Sequence, residues 1–234
     1  TEYFNDMTQL SFNLLQILCL TLDIQRSSFD ELVAAHTSYL RINHYPPFTS
    51  SNGASQQVDI ETMLGSDEMA ESLEAPPGVT MGIERHTDAG LLTILIQDTV
   101  SALQVRKDGR WRDVTSPNSP SHPLRDARSA EGGASTNPGT AFTINVGDML
   151  QVLTNDRYKA PLHRVVVNPA IPRYSAPYFL NPSYAADHVP VAGGGDPKYK
   201  PVNWGEFRRR RFEGDFADVG VEVQISDWSI DAEK

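Results

Sequence analysis

The sequence predicts a mainly β protein with flanking helices, folded as an antiparallel sandwich or jelly roll. From Met81 onward, short apolar runs follow one another, and turn residues separate them. Short strands at regular spacing are typical of sandwiches and barrels, whereas parallel strands need a long crossover between them. The clearest helical periodicity lies near the two ends of the chain.

Two helices are predicted ahead of the strands. Apolar positions at intervals of three and four residues in the opening segment are Met7, Leu10, Leu14, Ile17 and Thr21. This spacing predicts an amphipathic helix with that face on the core. A shorter helix is predicted in "SFDELVAAH", and "SYLRINHYPP" is predicted to be one strand that the two prolines end.

The strands that follow are predicted one by one from their apolar runs. "LLTILIQD" is one strand, and "ALQVRKDGRWRDV" is a hairpin in which Asp108 and Gly109 supply the two turn residues with positive φ. The remaining runs are "TAFTINVG", "MLQVLTN", "LHRVVVN" and "RYSAPYFLN", and a partly helical segment is the alternative for the second. Two stretches interrupt the series: Thr49–Thr80, an acidic surface excursion, and Thr115–Thr140, a loop rich in Pro, Gly and Ser.

A last helix is predicted in "NWGEFRRRRF". Asn203 is the predicted N-cap with Glu206 three residues on, and the predicted inner face consists of Trp204, Phe207 and Phe212. The four arginines Arg208–Arg211 are interpreted as a solvated helix face, with an anion-binding patch as the alternative.

Composition excludes several classes of partner. The formal net charge is −10, whereas nucleic acid binding normally needs a basic surface. The apolar stretch "LSFNLLQILCLTLDI" is interrupted by polar residues, so no membrane span is expected. Cys19 is the sole cysteine, which excludes an internal disulfide and favours a reducing, cytoplasmic location. A monomer is the default expectation.

Two polar residues precede the apolar run in "ERHTDAGLLTILIQD". His86 and Asp88 are two residues apart, so on a strand both side chains point to the same face. A His-x-Asp pair alone is usually a turn hydrogen bond. His163 also lies at the polar entry of an apolar strand, in "KAPLHRVVV". Together, two imidazoles and a carboxylate form the facial triad that leaves open positions on non-heme Fe(II).

A candidate anion clamp follows the third ligand. Arg173 and Ser175 share a strand face in "PRYSAPYF", ten residues after His163. A hairpin through "NPAIP" is predicted to place them on the neighbouring strand of the same sheet, facing the same cavity. A guanidinium binds a carboxylate through two parallel charge-assisted hydrogen bonds, and a serine hydroxyl adds a third.

These motifs together resemble a known family. "HTDAGLLTILIQD", "ALQV…GRWRDV", "INVGDMLQVLTNDRYKAPLHRV" and "RYSAPYF" are similar to the 2-oxoglutarate and Fe(II)-dependent dioxygenases, in the branch that includes isopenicillin N synthase and flavonol synthase. The resemblance implies a cupin-like double-stranded β-helix. It also implies iron on His86, Asp88 and His163, with Arg173 and Ser175 on the distal carboxylate of 2-oxoglutarate.

The resemblance extends to further positions. In "NHYPP", Asn43 and Tyr45 match residues that touch the co-substrate in related enzymes, while His44 departs from the pattern. Phe179 and Leu92 are expected cavity walls. We expect a helical lead-in at 1–38, the dioxygenase jelly roll at 39–190 with inserts at 49–80 and 115–140, and a C-terminal loop and helix at 191–234 packed on it. Family members carry a further segment ahead of the first helix, which we expect this chain to lack.

The function implied is oxygenation of a small organic molecule, of the kind found in secondary metabolism. Hydroxylation, desaturation or ring closure would accompany conversion of 2-oxoglutarate to succinate and CO₂. One alternative is an Fe(II) and O₂ oxidase of the isopenicillin N synthase kind, in which Arg173 and Ser175 hold a substrate carboxylate. The other is a non-catalytic jelly-roll remnant.

Overall fold

The computed structural model describes residues 1–48, 79–119, 141–191, 195–215 and 223–230, so most of the two predicted inserts lies outside the described residues. Its helices are α1 (Glu2–Leu22), α2 (Ser27–Val33), α3 (Asp148–Leu153), α4 (Trp204–Asp215) and a 3₁₀ turn (Ile225–Trp228). Its strands are β1 (Tyr39–Leu40), β2 (Asn43–Tyr45), β3 (Met81–His86), β4 (Leu92–Gln97), β5 (Leu103–Lys107), β6 (Arg110–Val114), β7 (Thr143–Val146), β8 (His163–Val166), β9 (Arg173–Leu180), β10 (Asp187–His188) and β11 (Val202–Asn203). None of the helices described is long and apolar enough to cross a bilayer.

Two antiparallel sheets form the body of the protein. One has the order β1-β9-β4-β7, with β2 also paired to β9, and the other has the order β3-β8-β5-β6. Strands of both sheets line a common cavity, so the sheets face each other across it. This arrangement confirms the predicted jelly roll, or double-stranded β-helix.

Alternation along the central strands separates the core from the cavity. On β4, Leu92 and Ile94 are buried in the main core with the helices, whereas Thr93 and Leu95 line the cavity between the sheets. Successive side chains of a strand point to opposite faces, so one strand serves both sides. Leu92 is therefore a core residue, and its predicted place in the cavity wall is wrong.

The first helix packs through a different stripe from the predicted one. Its buried residues are Met7, Ser11, Leu15, Cys19 and Leu22. Ile17 is 55% exposed, so the predicted face was turned by about one residue. The helix carries apolar residues on more than one row, and spacing alone does not say which row meets the sheet.

The predicted hairpin is confirmed, because β5 and β6 pair across Asp108 (φ 52°) and Gly109 (φ 78°). The predicted strand in "SYLRINHYPP" is divided into β1 and β2, which both pair with β9.

The C-terminal helix α4 confirms its predicted cap and corrects its predicted faces. Asn203 Oδ1 accepts a hydrogen bond from the Glu206 amide at 3.0 Å. Trp204 and Phe207 are buried as predicted, but Phe212 is 51% exposed. Arg211 is only 3% exposed, so the prediction of four solvated arginines is wrong for this residue. Positions 204, 207 and 211 share one helix face, which turns position 212 away.

Candidate metal centre and adjoining cavity

The structure brings the three predicted metal ligands together. His86 ends β3 and His163 begins β8, directly opposite it in the antiparallel register. Asp88 follows two residues after β3, with Oδ1 3.9 Å from His86 Nε2 and 3.7 Å from His163 Nε2. The three ligand atoms lie within 4.8 Å of one another.

Both imidazoles are oriented by backbone carbonyl groups. His86 Nδ1 lies 2.8 Å from the Glu84 carbonyl oxygen, and His163 Nδ1 lies 3.0 Å from that of Pro161. A carbonyl oxygen only accepts, so each Nδ1 carries the proton and donates. The Nε2 atom of each ring is then the nitrogen that lies nearest Asp88 Oδ1. Hydrogen bonding of the distal ring nitrogen is typical of metal-ligating histidines.

The two oxygens of the Asp88 carboxylate have different surroundings. Oδ2 accepts hydrogen bonds from Thr93 Oγ1 at 2.7 Å and from Asn145 Nδ2 at 3.0 Å. These bonds fix the rotation of the carboxylate and leave Oδ1 facing the two imidazoles. Neither Thr93 nor Asn145 was predicted as a site residue.

Electrostatics keep His86 and Asp88 in the forms that a cation needs. Burial and then the neighbouring His163 lower the pKa of His86 to about 4, so His86 is neutral near pH 7. Burial alone would raise the pKa of Asp88, but both imidazoles and the bonds from Thr93 and Asn145 outweigh it and hold this pKa below its ordinary value. Two imidazoles and one carboxylate form a ligand set that leaves open positions on Fe(II).

The first turn of helix α3 holds the loop that carries Asp88. The amides of Gly147, Asp148 and Met149 donate to the carbonyl oxygens of Leu91, Asp88 and Gly90 at 2.9, 2.8 and 3.0 Å, respectively. The first amides of a helix lack partners within it, so they are available for this purpose. A Cβ atom at Gly147 would overlap the Gly90 carbonyl, which explains the glycine there.

Helix α4 reaches the same loop through Arg211. Its Nη1 donates to Asp148 Oδ2 at 2.8 Å, and its Nη2 donates to the Thr87 carbonyl oxygen at 3.0 Å. Asp148 is fully buried, and burial raises its pKa to about 6 even though Arg211 opposes the shift. The ion pair thus connects α3, α4 and the backbone next to Asp88.

Arg173 and Ser175 line the same cavity as the triad, as predicted. They lie on the opposite sheet, however, and not on the neighbouring strand of the same sheet. Strand β8 pairs with β3 and β5, whereas β9 belongs to the opposite sheet. The segment "NPAIP" therefore crosses from one sheet to the other and does not form a hairpin. The predicted common cavity arises because the two sheets face each other.

Arg173 carries unused hydrogen-bonding capacity inside this cavity. It is 2% exposed, and Nη2 donates to Gln97 Oε1 at 2.8 Å. Among the described residues, Nε and Nη1 have no partner. A buried cation with two unpartnered nitrogens is unusual, and a ligand carboxylate would satisfy them. The residues present therefore fit the distal end of 2-oxoglutarate.

Asn43 and Tyr45 stand beside this pair on β2. In the β2–β9 register, Asn43 lies opposite Ser175, and Tyr45 lies opposite Arg173. Asn43 Nδ2 donates to Ser175 Oγ at 3.3 Å, and the guanidinium of Arg173 lies 5.1 Å from the centre of the Tyr45 ring. Both residues line the cavity, as does Phe179.

Three residues around the site were missed by sequence reasoning: Thr93, Gln97 and Asn145. Thr93 and Gln97 are four residues apart on β4, so they share the face that points between the sheets. Asn145 shares its face of β7 with Thr143, which also lines the cavity. Polar residues at alternating positions of otherwise apolar strands were the available signal.

The cavity between the sheets opens into a second space, the outer cleft. Its apolar walls include Tyr39, Ile83 and Phe179, and its polar lining includes Arg41, Glu84, Arg85, Thr87, Asn181, Arg208 and Arg211. His86 and Asp88 line both spaces, so the triad lies where they meet. A bound molecule in either space could reach the triad.

Fold and site together define a class: jelly-roll proteins with a two-histidine, one-carboxylate metal centre. The sequence model of the 2OG-Fe(II) oxygenase superfamily matches residues 36–127 and 125–182. The chain therefore belongs to the 2OG-Fe(II) oxygenase superfamily, as the sequence resemblance predicts.

Individual relatives agree with this membership. The chain is 31% identical over 207 residues to a 2-oxoglutarate-Fe(II) type oxidoreductase, hxnY, of Emericella nidulans, covering 86% of this chain and 47% of the relative. It is 30% identical to gibberellin 20 oxidase 1 of Arabidopsis thaliana, covering 97% and 49%. The chain thus spans about half the length of these relatives.

Solved structures share the fold. The structure of JOX2 in complex with 2OG, Fe and JA has a TM-score of 0.66 at 25% identity, covering 97% of this chain and 55% of that one. The dioxygenase for auxin oxidation of rice has a TM-score of 0.64 at 21% identity, covering 97% and 62%.

Proposed function

We propose that the chain provides the catalytic jelly roll of an Fe(II)- and 2-oxoglutarate-dependent oxygenase that acts on a small organic molecule. One observation supports this most strongly: a convergent triad and a buried arginine with two unpartnered nitrogens share one cavity. The reaction class consumes O₂ and 2-oxoglutarate and yields oxidised product, succinate and CO₂.

Each residue has a distinct task in this proposal. His86, Asp88 and His163 would hold Fe(II), which supplies the O₂ chemistry when bound. Arg173 and Ser175 would hold the distal carboxylate of 2-oxoglutarate, and Asn43 and Tyr45 would support them. The oxidised substrate would enter through the outer cleft.

We also propose that the described helices and sheets form one folding unit. Residues of α1, of β4 and β9, and of α4 are buried in a single apolar cluster, which supports packing of the lead-in 1–38 and the tail 191–234 on the jelly roll 39–190.

Succinate formation from 2-oxoglutarate tests the proposed function. Purified protein with Fe(II) and O₂ is expected to release succinate, and His86→Ala or Asp88→Ala is expected to abolish that release. Arg157→Gln, at an exposed arginine that lines neither the inner cavity nor the outer cleft, serves as the control. O₂ consumption that needs no 2-oxoglutarate would favour the oxidase alternative, and turnover without His86 or Asp88 would refute both.

A further inference from the structure

The outer cleft has a cationic lining in an acidic protein. Four arginines line it: Arg41, Arg85, Arg208 and Arg211. The chain as a whole carries a formal charge of −10, so this concentration of positive charge runs against the general composition. A cleft lined by one sign of charge raises the local concentration of ligands of the opposite sign.

Three of these arginines form no ion pair with an acid among the described residues. Arg211 is held by Asp148, but no ion pair in the described part of the chain includes Arg41, Arg85 or Arg208. The next two residues of α4 behave differently, because Arg209 pairs with Glu213 and Arg210 with Glu206. On helix α4, Arg209 and Arg210 thus pair with acids of the same helix, whereas Arg208 lines the cleft.

Arg41 shows the clearest need for a ligand. The residue is half-buried between β1 and β2, and its guanidinium lies 5.6 Å from the centre of the Phe179 ring. Its Nε is buried and has no hydrogen-bond partner among the described residues. A buried N–H group without a partner is unfavourable, and a bound acceptor would satisfy it.

The described acids of the cleft do not neutralise this charge. Asp88 belongs to the metal centre. Glu84 is exposed, and its carboxylate also interacts electrostatically with Arg164 on the neighbouring strand. Arg211 is paired to Asp148, and no other described acid pairs with Arg41, Arg85 or Arg208, so the described lining of the cleft carries an excess of positive charge.

We infer that the outer cleft selects a substrate that carries a carboxylate, bound by Arg41 and Arg208, with its apolar body against Tyr39, Ile83 and Phe179. The inference rests on the proposed function, because it names the substrate class of that same centre. The cleft volume of about 430 Å³ suits a small molecule. Arg173 lines only the inner cavity and Arg208 only the outer cleft, whereas Arg41 lines both, so Arg208 is the residue that distinguishes the substrate carboxylate from 2-oxoglutarate.

Binding of matched probes tests this inference without turnover. The protein is loaded with Mn(II) and saturating 2-oxoglutarate, which occupies the inner cavity, and titrated with a panel of small aromatic and alicyclic carboxylates. Each carboxylate is paired with its primary amide, which keeps the shape and removes the charge. Isothermal titration calorimetry gives both dissociation constants for each pair.

At least one carboxylate is expected to bind about tenfold or more tightly than its amide. Arg41→Gln and Arg208→Gln should each weaken that carboxylate about 10-fold, as expected for loss of one charged hydrogen bond, and leave the amide unchanged. Arg209→Gln makes the same charge change one residue along α4, outside the cleft, and should alter neither. Rescue by Arg41→Lys would show that charge matters.

Each other outcome has a defined meaning. No preference for any carboxylate across the panel, including no binding at all, would overturn the inference, as would equal weakening of carboxylate and amide in the variants. Binding of Mn(II) and 2-oxoglutarate, recorded in the same samples, is expected to be intact in all variants. If the wild type binds neither Mn(II) nor 2-oxoglutarate, the proposed function is refuted. The preference for carboxylate over amide can then still be measured on the protein without metal and 2-oxoglutarate.

Discussion

Replacing Arg173 with methionine should abolish tight 2-oxoglutarate binding without unfolding the protein. Methionine fills much of the buried volume of arginine but has no N–H donors. Arg173 offers a ligand two buried nitrogens that lack partners among the described residues, Nε and Nη1. Each charge-assisted hydrogen bond contributes about 1.5–3 kcal/mol, so losing two should raise the dissociation constant about 10²–10⁴-fold.

The ligand-free stability should respond much less. Arg173→Met removes a buried charge with two unsatisfied nitrogens, which is favourable, and breaks the 2.8 Å bond to Gln97, which is unfavourable. Each effect is about 1–3 kcal/mol, so the net change in the unfolding free energy should stay within about 2 kcal/mol. Urea denaturation measures this quantity on the same preparation.

The binding assay is titration of 2-oxoglutarate into Mn(II)-loaded protein, which excludes turnover. Ser175→Ala removes a single hydroxyl and should weaken binding only about 5-fold. Arg157→Met removes the same charge far from the cavity and should change nothing. A dissociation constant for folded Arg173→Met within threefold of wild type would refute the assignment of Arg173.

Three further changes probe the scaffold. Asn145→Ala removes one of the two hydrogen bonds to Asp88 Oδ2 and should weaken Mn(II) binding about 10–100-fold, measured by calorimetry. Arg211→Met leaves Asp148 buried without its partner and should lower the unfolding free energy by about 3–5 kcal/mol in urea, which added Asp148→Leu should largely restore. His188→Gln should reduce the loss of stability on acidification, followed by urea denaturation across pH.

The sign for His188 follows from its burial. The ring is fully buried, and burial lowers its pKa to about 4 from 6.5. The unfolded chain therefore binds a proton below about pH 6.5 that the folded chain refuses until about pH 4. Between these values the wild type should lose about 3 kcal/mol of stability through this residue, and none above that range.

Each of these predictions can fail. Metal affinity unchanged in Asn145→Ala would show that the hydrogen bond from Asn145 is not needed to orient Asp88. A double variant as unstable as Arg211→Met alone would mean that the cost lies in packing and not in the unpaired carboxylate. Parallel pH profiles for wild type and His188→Gln would show that His188 is not held neutral by the fold.

Local patterns were enough to predict most strands and the convergence of His86, Asp88 and His163. The prediction used strand alternation. In the structure His86 ends β3 and Asp88 lies in the loop just after it, while His163 begins β8. Local patterns did not predict which of the two sheets carries Arg173, because the pairing of strands distant in sequence depends on the path of the whole chain. The prediction that Arg173 and the triad share a cavity still agrees with the structure, because the two sheets face each other across that cavity.

Tertiary packing decided what periodicity left open. The buried stripe of α1 depends on which row meets the sheet, as exposed Ile17 shows. Arg211 looked like one of four solvated arginines, yet it shares a helix face with Trp204 and Phe207 and meets a buried carboxylate. An ion pair between residues this far apart in sequence leaves no local signal, although the helical spacing of positions 204, 207 and 211 marked the face.

Metal and co-substrate binding measured together tests the central claim most directly. Calorimetric titration of Mn(II) should show one site per chain in the wild type, and 2-oxoglutarate should bind tightly only once that site is filled. Asp88→Ala should lose both signals, whereas Arg173→Met should keep the metal and lose 2-oxoglutarate. Stoichiometric Mn(II) binding by folded Asp88→Ala, or tight 2-oxoglutarate binding without metal, would contradict a centre built on His86, Asp88 and His163.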